Sequence, residues 1–408
     1  MSEGPKLRVG LVAPPLPSPR HDGLELALDG LARGLLGRGH DVLLFTIGDP
    51  MRTKQWASEV GHTARKLYHA VGLEGELGCC DIVHDHTLAG LFVRNLHHRA
   101  PLVTTNYGPF DADPIPMYRR RPDDHVPMVA VSLDHLRRAP KSVTVSTVIH
   151  PGIDLTPYRF RSRGSGYFVT TGRMQPSGGI VQSIKMAKAT STPLIILSSA
   201  ERPKEVDYFY DVVRPELGGN IDYIDDLGWR DRIDILAGAD ALLHPVGWPD
   251  PFGTAIVEAM ACGTPTIATP GAAREIIADG ETGFIAGTQA GLIAAVDRLG
   301  TIDRARCRER AKRLFDCDEV ATRHEDFYHQ VIADRAAERS AQRIEHLPPV
   351  SDPAPEPLVA AAPRVDVETT DSPVGSTAGA DAAVVTPPGD TPPDPAIAAE
   401  AAWRSAYF

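Results

Sequence analysis

The chain has 408 residues, 42% of them hydrophobic and 23% charged, a length that exceeds one ordinary core and points to two domains with additions, excluding a peptide, a fibre or a single small binding module. Of the formal net charge of -11, residues 351–408 supply -7 (nine acids against Arg364 and Arg404), which leaves only -4 for the rest. Nothing in that balance provides the basic face with which a nucleic-acid binder neutralises phosphates.

In chain order, Leu7 to Ala13 (LRVGLVA) is a short apolar run ended by Pro14 and Pro15, which reads as a strand and lacks the apolar core of a secretion signal. After the loop to Asp22, the residues Leu24, Leu28, Leu31 and Leu35 recur at helical spacing. Strands are expected at Asp41 to Ile47, Asp81 to His84, Leu102 to Thr105, Met128 to Val131 and Val143 to Ile149, with helical or polar segments between most of them. That alternation indicates a parallel sheet with crossover connections. At PGIDLTPYRFRSRGSG, residues 151–166, the sequence becomes turn-rich, and the alternation then begins again. Further strands are expected at Tyr167 to Thr171, Leu194 to Ser198, Ile221 to Ile224, Ala241 to Pro245 and Thr266 to Ala268, with helices from about Val181, Lys204, Asp231, Thr254 and Ala273. Asp303 to Ile344 reads as helix throughout, long enough to pack back across both halves. From about Leu347 the Pro, Ala and Asp-rich composition has no sustained period and predicts a disordered tail ending in AAWRSAYF.

The expected fold class is therefore α/β. Two doubly wound Rossmann-like domains, residues 1–150 and 167–300, are joined by a linker at 151–166 and followed by helices at 301–346 and a tail at 347–408. Domains of this kind in series face their strand carboxyl ends across a central cleft. Five cysteines make an odd number, and the adjacent Cys79 and Cys80 are poorly placed for a disulfide. With no run of roughly 18 apolar residues, the reading is a soluble, cytoplasmic protein without a transmembrane segment.

Ligands of open α/β sheets bind beyond the strand carboxyl ends, so the segments after the strands are where chemistry is sought. WPDPFGTAIVEAMACGTP, Trp248 to Pro265, runs from loop into helix, and the unpaired amides near Phe252, Gly253 and Thr254 suit an anionic or hydroxyl-rich ligand. Asp250 and Glu258 flank that terminus as carboxylates able to accept hydrogen bonds from sugar hydroxyls, a combination that fits a sugar nucleotide. A turn or cap role for Asp250, and a place on the helix surface for Glu258, stay open. In GRMQPSGG, Gly172 to Gly179, the guanidinium of Arg173 suits a phosphate, and the amides of Ser177, Gly178 and Gly179 can form an anion-binding concavity, although a plain turn fits equally. At RHDGLE, Arg20 to Glu25, Asp22 and Glu25 match a capping box, which leaves Gly23 as a backbone contact. TTNYGPFD, Thr104 to Asp111, sets Tyr107 at a strand end. The triplet His84, Asp85 and His86 has no third or fourth partner apparent, and no metal is expected. Arg119, Arg120, Arg121, Arg137, Arg138 and Lys141 give a local basic patch, either ordinary solvated surface or a seat for an anionic acceptor or lipid headgroup in peripheral membrane contact.

The Trp248 to Pro265 block resembles the signature of the retaining family 4 glycosyltransferases of the GT-B fold, in which two acids eight positions apart bracket PFG and are followed by EAxACGTPxxA. GAAREIIADGETGFIA, Gly271 to Ala286, is similar to the family's G..PEII.DG.TGF, and the resemblance covers roughly Leu7 to Arg335. It implies a hexosyltransferase that takes a UDP- or GDP-sugar as donor, without a metal, and transfers the sugar to a carbohydrate, lipid-linked or small-molecule hydroxyl. The first domain would hold the acceptor and the second the donor nucleotide. By position, Glu258 would bind the ribose, Asp250 would face the transferred sugar, and Arg173 would contact the diphosphate. Gly23, Gly178, Gly179, Phe252, Gly253 and Thr254 would approach the donor, with Tyr107 near the transferred sugar. Four positions depart from the family pattern: Asp22 replaces a glycine, Tyr107 a histidine, Gly178 a lysine and Asp250 a glutamate. Together they motivate a second reading, a GT-B protein that has lost catalysis and serves as a binding or scaffold partner. A nucleotide-binding oxidoreductase ranks well behind, since no strand is followed by GxGxxG.

Overall fold

The computed structural model describes residues 5–13, 23–46, 66–69, 79–87, 100–110, 126–141, 143–225 and 227–345. Asp22, Arg119 to Arg121 and the expected tail lie outside the described residues.

Seven strands build the first domain: β1 (Arg8–Ala13), β2 (Asp41–Thr46), β3 (Lys66–His69), β4 (Ile82–Asp85), β5 (Leu102–Asn106), β6 (Met128–Ala130) and β7 (Val145–Val148). All pairs are parallel, in the spatial order β3-β2-β1-β4-β5-β6-β7. A parallel sheet is covered on both faces, and so β1 reads as an unbroken apolar run. Val9 and Leu11 pack with Leu28, Leu31 and Leu35 of helix α1 (Gly23–Gly37), and Val12 packs on the other face with Phe45, Val83 and Met128. A short helix α2 (Leu133–Arg137) follows β6, with Ser132 Oγ accepting from the His135 amide at 2.9 Å as its cap.

The second domain alternates regularly through β8 (Phe168–Thr171), α3 (Ile180–Thr190), β9 (Leu194–Leu197), α4 (Pro203–Tyr208), β10 (Ile221–Ile224), α5 (Trp229–Gly238), β11 (Ala241–His244), α6 (Thr254–Ala261), β12 (Thr266–Ala268), α7 (Ala273–Ile276), β13 (Gly283–Ile285) and α8 (Gln289–Val296). Its six parallel strands are ordered β10-β9-β8-β11-β12-β13. Two strands were not expected from the sequence. β3 has only the mixed residues KLYH, and β13 is three residues long behind a glycine-containing turn, so neither carries a period long enough to read. Among the described residues no helix is long and apolar enough to cross a membrane.

The closing segment is two helices, α9 (Arg304–Phe315) and α10 (Cys317–Glu345), within the stretch expected to be helical. Asp316 between them is extended, with φ -65° and ψ 141°. There the chain bridges the linker: the Ile153 amide donates to Phe315 O at 2.9 Å, and the Cys317 amide donates to Ile153 O at 3.1 Å. Exchange of helical bonds for this bridge turns α10 onto α1. Arg38 pairs there with Glu325 at 2.5 Å, and Ala321, Tyr328 and Val331 enter the core that holds Leu28, Leu31 and Leu35. Chain that follows the second domain thus completes the first.

A group of buried histidines lies at this seam. His84 meets Tyr328 Oη and Thr105 Oγ1 through its two ring nitrogens, each at 2.7 Å. His86 Nδ1 is 3.1 Å from Tyr107 Oη, and His324 Nδ1 donates to Val320 O at 2.9 Å. Burial, followed by the neighbouring imidazoles, pushes His84 well below its ordinary value and His86 down to about 3. Burial also pushes His324 down to about 4. The unfolded chain therefore takes up protons first as pH falls through about 6.5, and the stability present above that pH drains away toward pH 4. Urea midpoints followed by fluorescence are expected to fall steadily between pH 6.5 and 4.5. With His324→Gln, which removes one such group, the slope should flatten by up to about 1.4 kcal/mol per pH unit.

Candidate functional site

Each sheet reverses its winding once, β1 beside β4 in the first and β8 beside β11 in the second. At such a point neighbouring connections leave toward opposite faces and open a crevice at the strand carboxyl ends. Gly172 to Gly179 leaves β8, and Pro245 to Gly253 leaves β11, so two of the sequence motifs flank one crevice. α1, which follows β1, brings the first domain up to it: a Cβ on Gly23 would lie 2.7 Å from Thr254 Oγ1 at the start of α6.

The seam beside this crevice is polar. Ser132 Oγ donates to Pro251 O at 2.6 Å, which ties the cap of α2 to the loop before α6. The amides of Leu133 and Asp134 both donate to the Glu275 carboxylate of α7 at 2.8 Å, and His150 Nε2 donates to it at 2.9 Å. Burial by itself would raise Glu275, but His150 and the two amides outweigh it and hold the carboxyl below its ordinary value. The carboxylate is therefore ionised at neutral pH and closes the two domains on each other.

Behind the seam is a hollow of about 220 Å³ lined by residues of both domains. Asp250, Phe252 and Gly253 of the sequence motif line it, joined by His244 and Trp248 from the second domain and Arg138 from the first. Gly253 has φ 91°, a left-handed conformation that glycine adopts without strain, and it turns the chain from the hollow into α6. Among the described residues no side chain caps the first amides of α6. Asp250 Oδ1 accepts the Phe252 amide at 3.3 Å, and Oδ2 lies 3.4 Å from His244 Nε2. Arg138 forms an ion pair with Asp134 at 2.8 Å, while Arg137 and Lys141 of the expected patch are exposed.

The other expected site residues (Gly23, Tyr107, Arg173, Gly178, Gly179, Thr254 and Glu258) do not line this hollow. Arg173 is exposed, with its guanidinium 5.6 Å from the centre of the Trp248 ring. Gly179 meets the β11 exit, where an added Cβ would be 2.9 Å from Pro245 O. At Gly178 a Cβ would fall 1.9 Å from Arg173 O, so the lysine that the resemblance would place there is shut out by the loop's own backbone. Glu258, one turn into α6, is not among the residues lining the hollow. It is 1% exposed, accepts from Tyr158 Oη at 3.1 Å, and pairs with Arg232 of α5, which is 22% exposed. Burial, then the Glu258 charge, pushes Tyr158 well above its ordinary value and keeps it a donor. Tyr107 is half-buried against His86, and His84, Asp85 and His86 are all buried.

His244, Trp248, Glu275 and the Arg232 and Tyr158 partners of Glu258 were not among the residues that the sequence singled out. Of these only His244 carried a readable signal, a polar residue at the carboxyl end of an apolar strand. The rest depend on contacts between segments up to 142 positions apart.

Two facing doubly wound domains, each with its switch point toward the other, are the GT-B fold. The structure of AviGT4, a glycosyltransferase involved in avilamycin A biosynthesis, is similar at TM-score 0.63 and 23% identity over 80% of this chain and 98% of that one. HepE of Anabaena in complex with UDP and glucose is similar at TM-score 0.63 and 18% identity, over 79% of this chain and 99% of that one. Residues 161–314 match the family Glycosyl transferases group 1. A glycogen synthase of Mycobacterium tuberculosis is 29% identical over 223 residues, 50% of this chain and 53% of the synthase. The N-acetyl-alpha-D-glucosaminyl L-malate synthase of Bacillus anthracis is 28% identical over 124 residues, 26% of this chain and 31% of that enzyme. The chain thus spans about half the length, or less, of these curated relatives.

Two outcomes are expected of this geometry. Glu275→Ala removes the acceptor of two amides and should loosen the domain pairing by about 1.5–3 kcal/mol, the range for hydrogen bonds to a charged group. Small-angle scattering would register it as a larger radius of gyration. Gly178→Ala overpacks the loop against Arg173 O at a cost of about 1–3 kcal/mol, to be read as a lowered Tm.

Proposed function

We propose that the chain is a retaining glycosyltransferase that moves a hexosyl unit from a UDP- or GDP-sugar to an acceptor hydroxyl. The hollow beyond the β11 strand end carries this reading: Asp250, Phe252 and Gly253 line it just before α6, and the start of α1 meets the start of α6 at Gly23 and Thr254. The UDP and glucose in the Anabaena protein's structure, and the synthase names of the curated relatives, favour the same class of donor.

In this reading the diphosphate lies along the α6 amides, Gly178 and Gly179, with Arg173 held near it by the Trp248 face. Asp250 takes a hydroxyl of the transferred sugar. Glu258 takes the ribose by yielding one oxygen from Arg232, whose partial exposure gives it room to move. Retention needs no enzyme nucleophile. The acceptor oxygen attacks the face that the diphosphate leaves, and the departing phosphate oxygen takes the proton. Rate then comes from holding the two substrates in line and stabilising charge on the leaving diphosphate. All five cysteines are free, in keeping with a reducing cytoplasm.

The lapsed-scaffold reading draws on Gly178, since its packing against Arg173 O leaves Arg173 without the second cation. Calorimetric titration with UDP- and GDP-sugars separates the two. On the enzyme reading the protein binds one of them, and Arg173→Ala, Asp250→Ala and Glu258→Ala each weaken binding about tenfold or more, roughly 1.4 kcal/mol. Absence of binding to any nucleotide sugar would favour the scaffold.

A further inference from the structure

His244 ends β11 among the residues that line the hollow, and it is only 6% exposed. Neither ring nitrogen has a hydrogen-bond partner among the described residues. Buried polar groups are nearly always satisfied, and an orphan in a native structure calls for a cause. The Asp250 carboxylate is close, with Oδ2 3.4 Å from Nε2, but the two do not form a hydrogen bond. Asp250 is 22% exposed on its side chain, so it can be reached from the same space. A donor-capable nitrogen and an acceptor oxygen, side by side and unpaired with each other, match the two faces of one hydroxyl, which accepts from the first and donates to the second.

Resting on the donor reading above, we propose that His244 and Asp250 act as a pair that reads a single hydroxyl of the transferred sugar, with His244 Nε2 donating to the hydroxyl oxygen and Asp250 Oδ2 accepting its proton. The family resemblance gave Asp250 a sugar-facing place and gave His244 none. The position of His244 suits this role, because it is the last residue of a buried strand at the switch point, held rigidly by the parallel pairing of β11 with β12 that joins His244 to Ala268. A site built to pair with a hydroxyl discriminates strongly against an analogue that lacks it, because the buried polar groups are then left unpaired. His244 would thus be a specificity determinant for the donor sugar.

The test is calorimetry on the full chain with UDP, GDP, UDP-glucose, GDP-mannose and the 2-, 3-, 4- and 6-deoxy analogues of the sugar nucleotide that binds. For the wild type, one deoxy analogue is expected to bind at least tenfold more weakly than its parent. In His244→Phe, which keeps an aromatic ring and removes both nitrogens, the parent should drop by that factor and the same analogue should be unchanged. UDP or GDP alone should bind both proteins within about twofold. His244→Gln, whose amide nitrogen reaches about as far as Nε2, should recover most of the discrimination and serves if the Phe variant does not fold. Parent binding unchanged in His244→Phe, or an equal loss for the parent and all four analogues, would overturn the inference while leaving the donor reading intact. Failure of the wild type to bind any of the nucleotides would remove both.

Discussion

Two backbone amides at the start of α2 donate to one carboxylate, Glu275 of α7, and the geometry of the cleft depends on that junction. A single-turn helix has few internal bonds, so its N-terminal amides need outside partners. Ser132 supplies one from within its own domain, and Glu275 supplies the others from the facing domain. The same Ser132 hydroxyl reaches Pro251, the residue between Asp250 and Phe252. The interdomain seam and the loop bearing the site are thereby one connected set of hydrogen bonds, and any opening of the domains must move the hollow's wall.

Around the switch point, close backbone packing has replaced some of the charge that the family pattern would place there. The Gly172 to Gly179 loop folds on itself so tightly that position 178 has no space for a side chain, and the remaining cation, Arg173, leans on Trp248. Across the crevice, Asp250 faces a histidine whose two nitrogens have no hydrogen-bond partner among the described residues. These changes concern neighbouring positions and are better understood together than one by one. A shorter acid and an imidazole occupy one side of the crevice, and a closed glycine loop occupies the other.

The last helix ties the domains by a different means. α10 follows the second domain in sequence but contributes Ala321, Tyr328 and Val331 to the core of the first, and the bridge at Asp316 aims it there. Its His324 sits with His84 in a region where burial disfavours charge. Attachment of this clamp is therefore linked to the protonation of buried imidazoles, whereas closure of the cleft is linked to an ionised carboxylate.

Much of the fold was legible in the residues. Apolar runs punctuated by helical periods gave eleven of the thirteen strands found among the described residues and the two-domain division, because parallel strands are covered on both faces and stay apolar along their length. The motif from Trp248 to Pro265 located Asp250, Phe252 and Gly253 without reference to any contact, since a helix start behind a strand is a local feature. β3 and β13 were too short or too polar to carry a period, and the break at Asp316 was hidden because its cause is a hydrogen-bonded bridge to Ile153. Sequence order alone determined which segments would stand at the strand carboxyl ends. Only the tertiary structure decided that Glu258 is held by Tyr158 and Arg232, that Gly178 excludes a side chain, and that His244 comes beside Asp250. Those outcomes depend on distances between segments brought together by packing, and one-dimensional spacing carries no record of them.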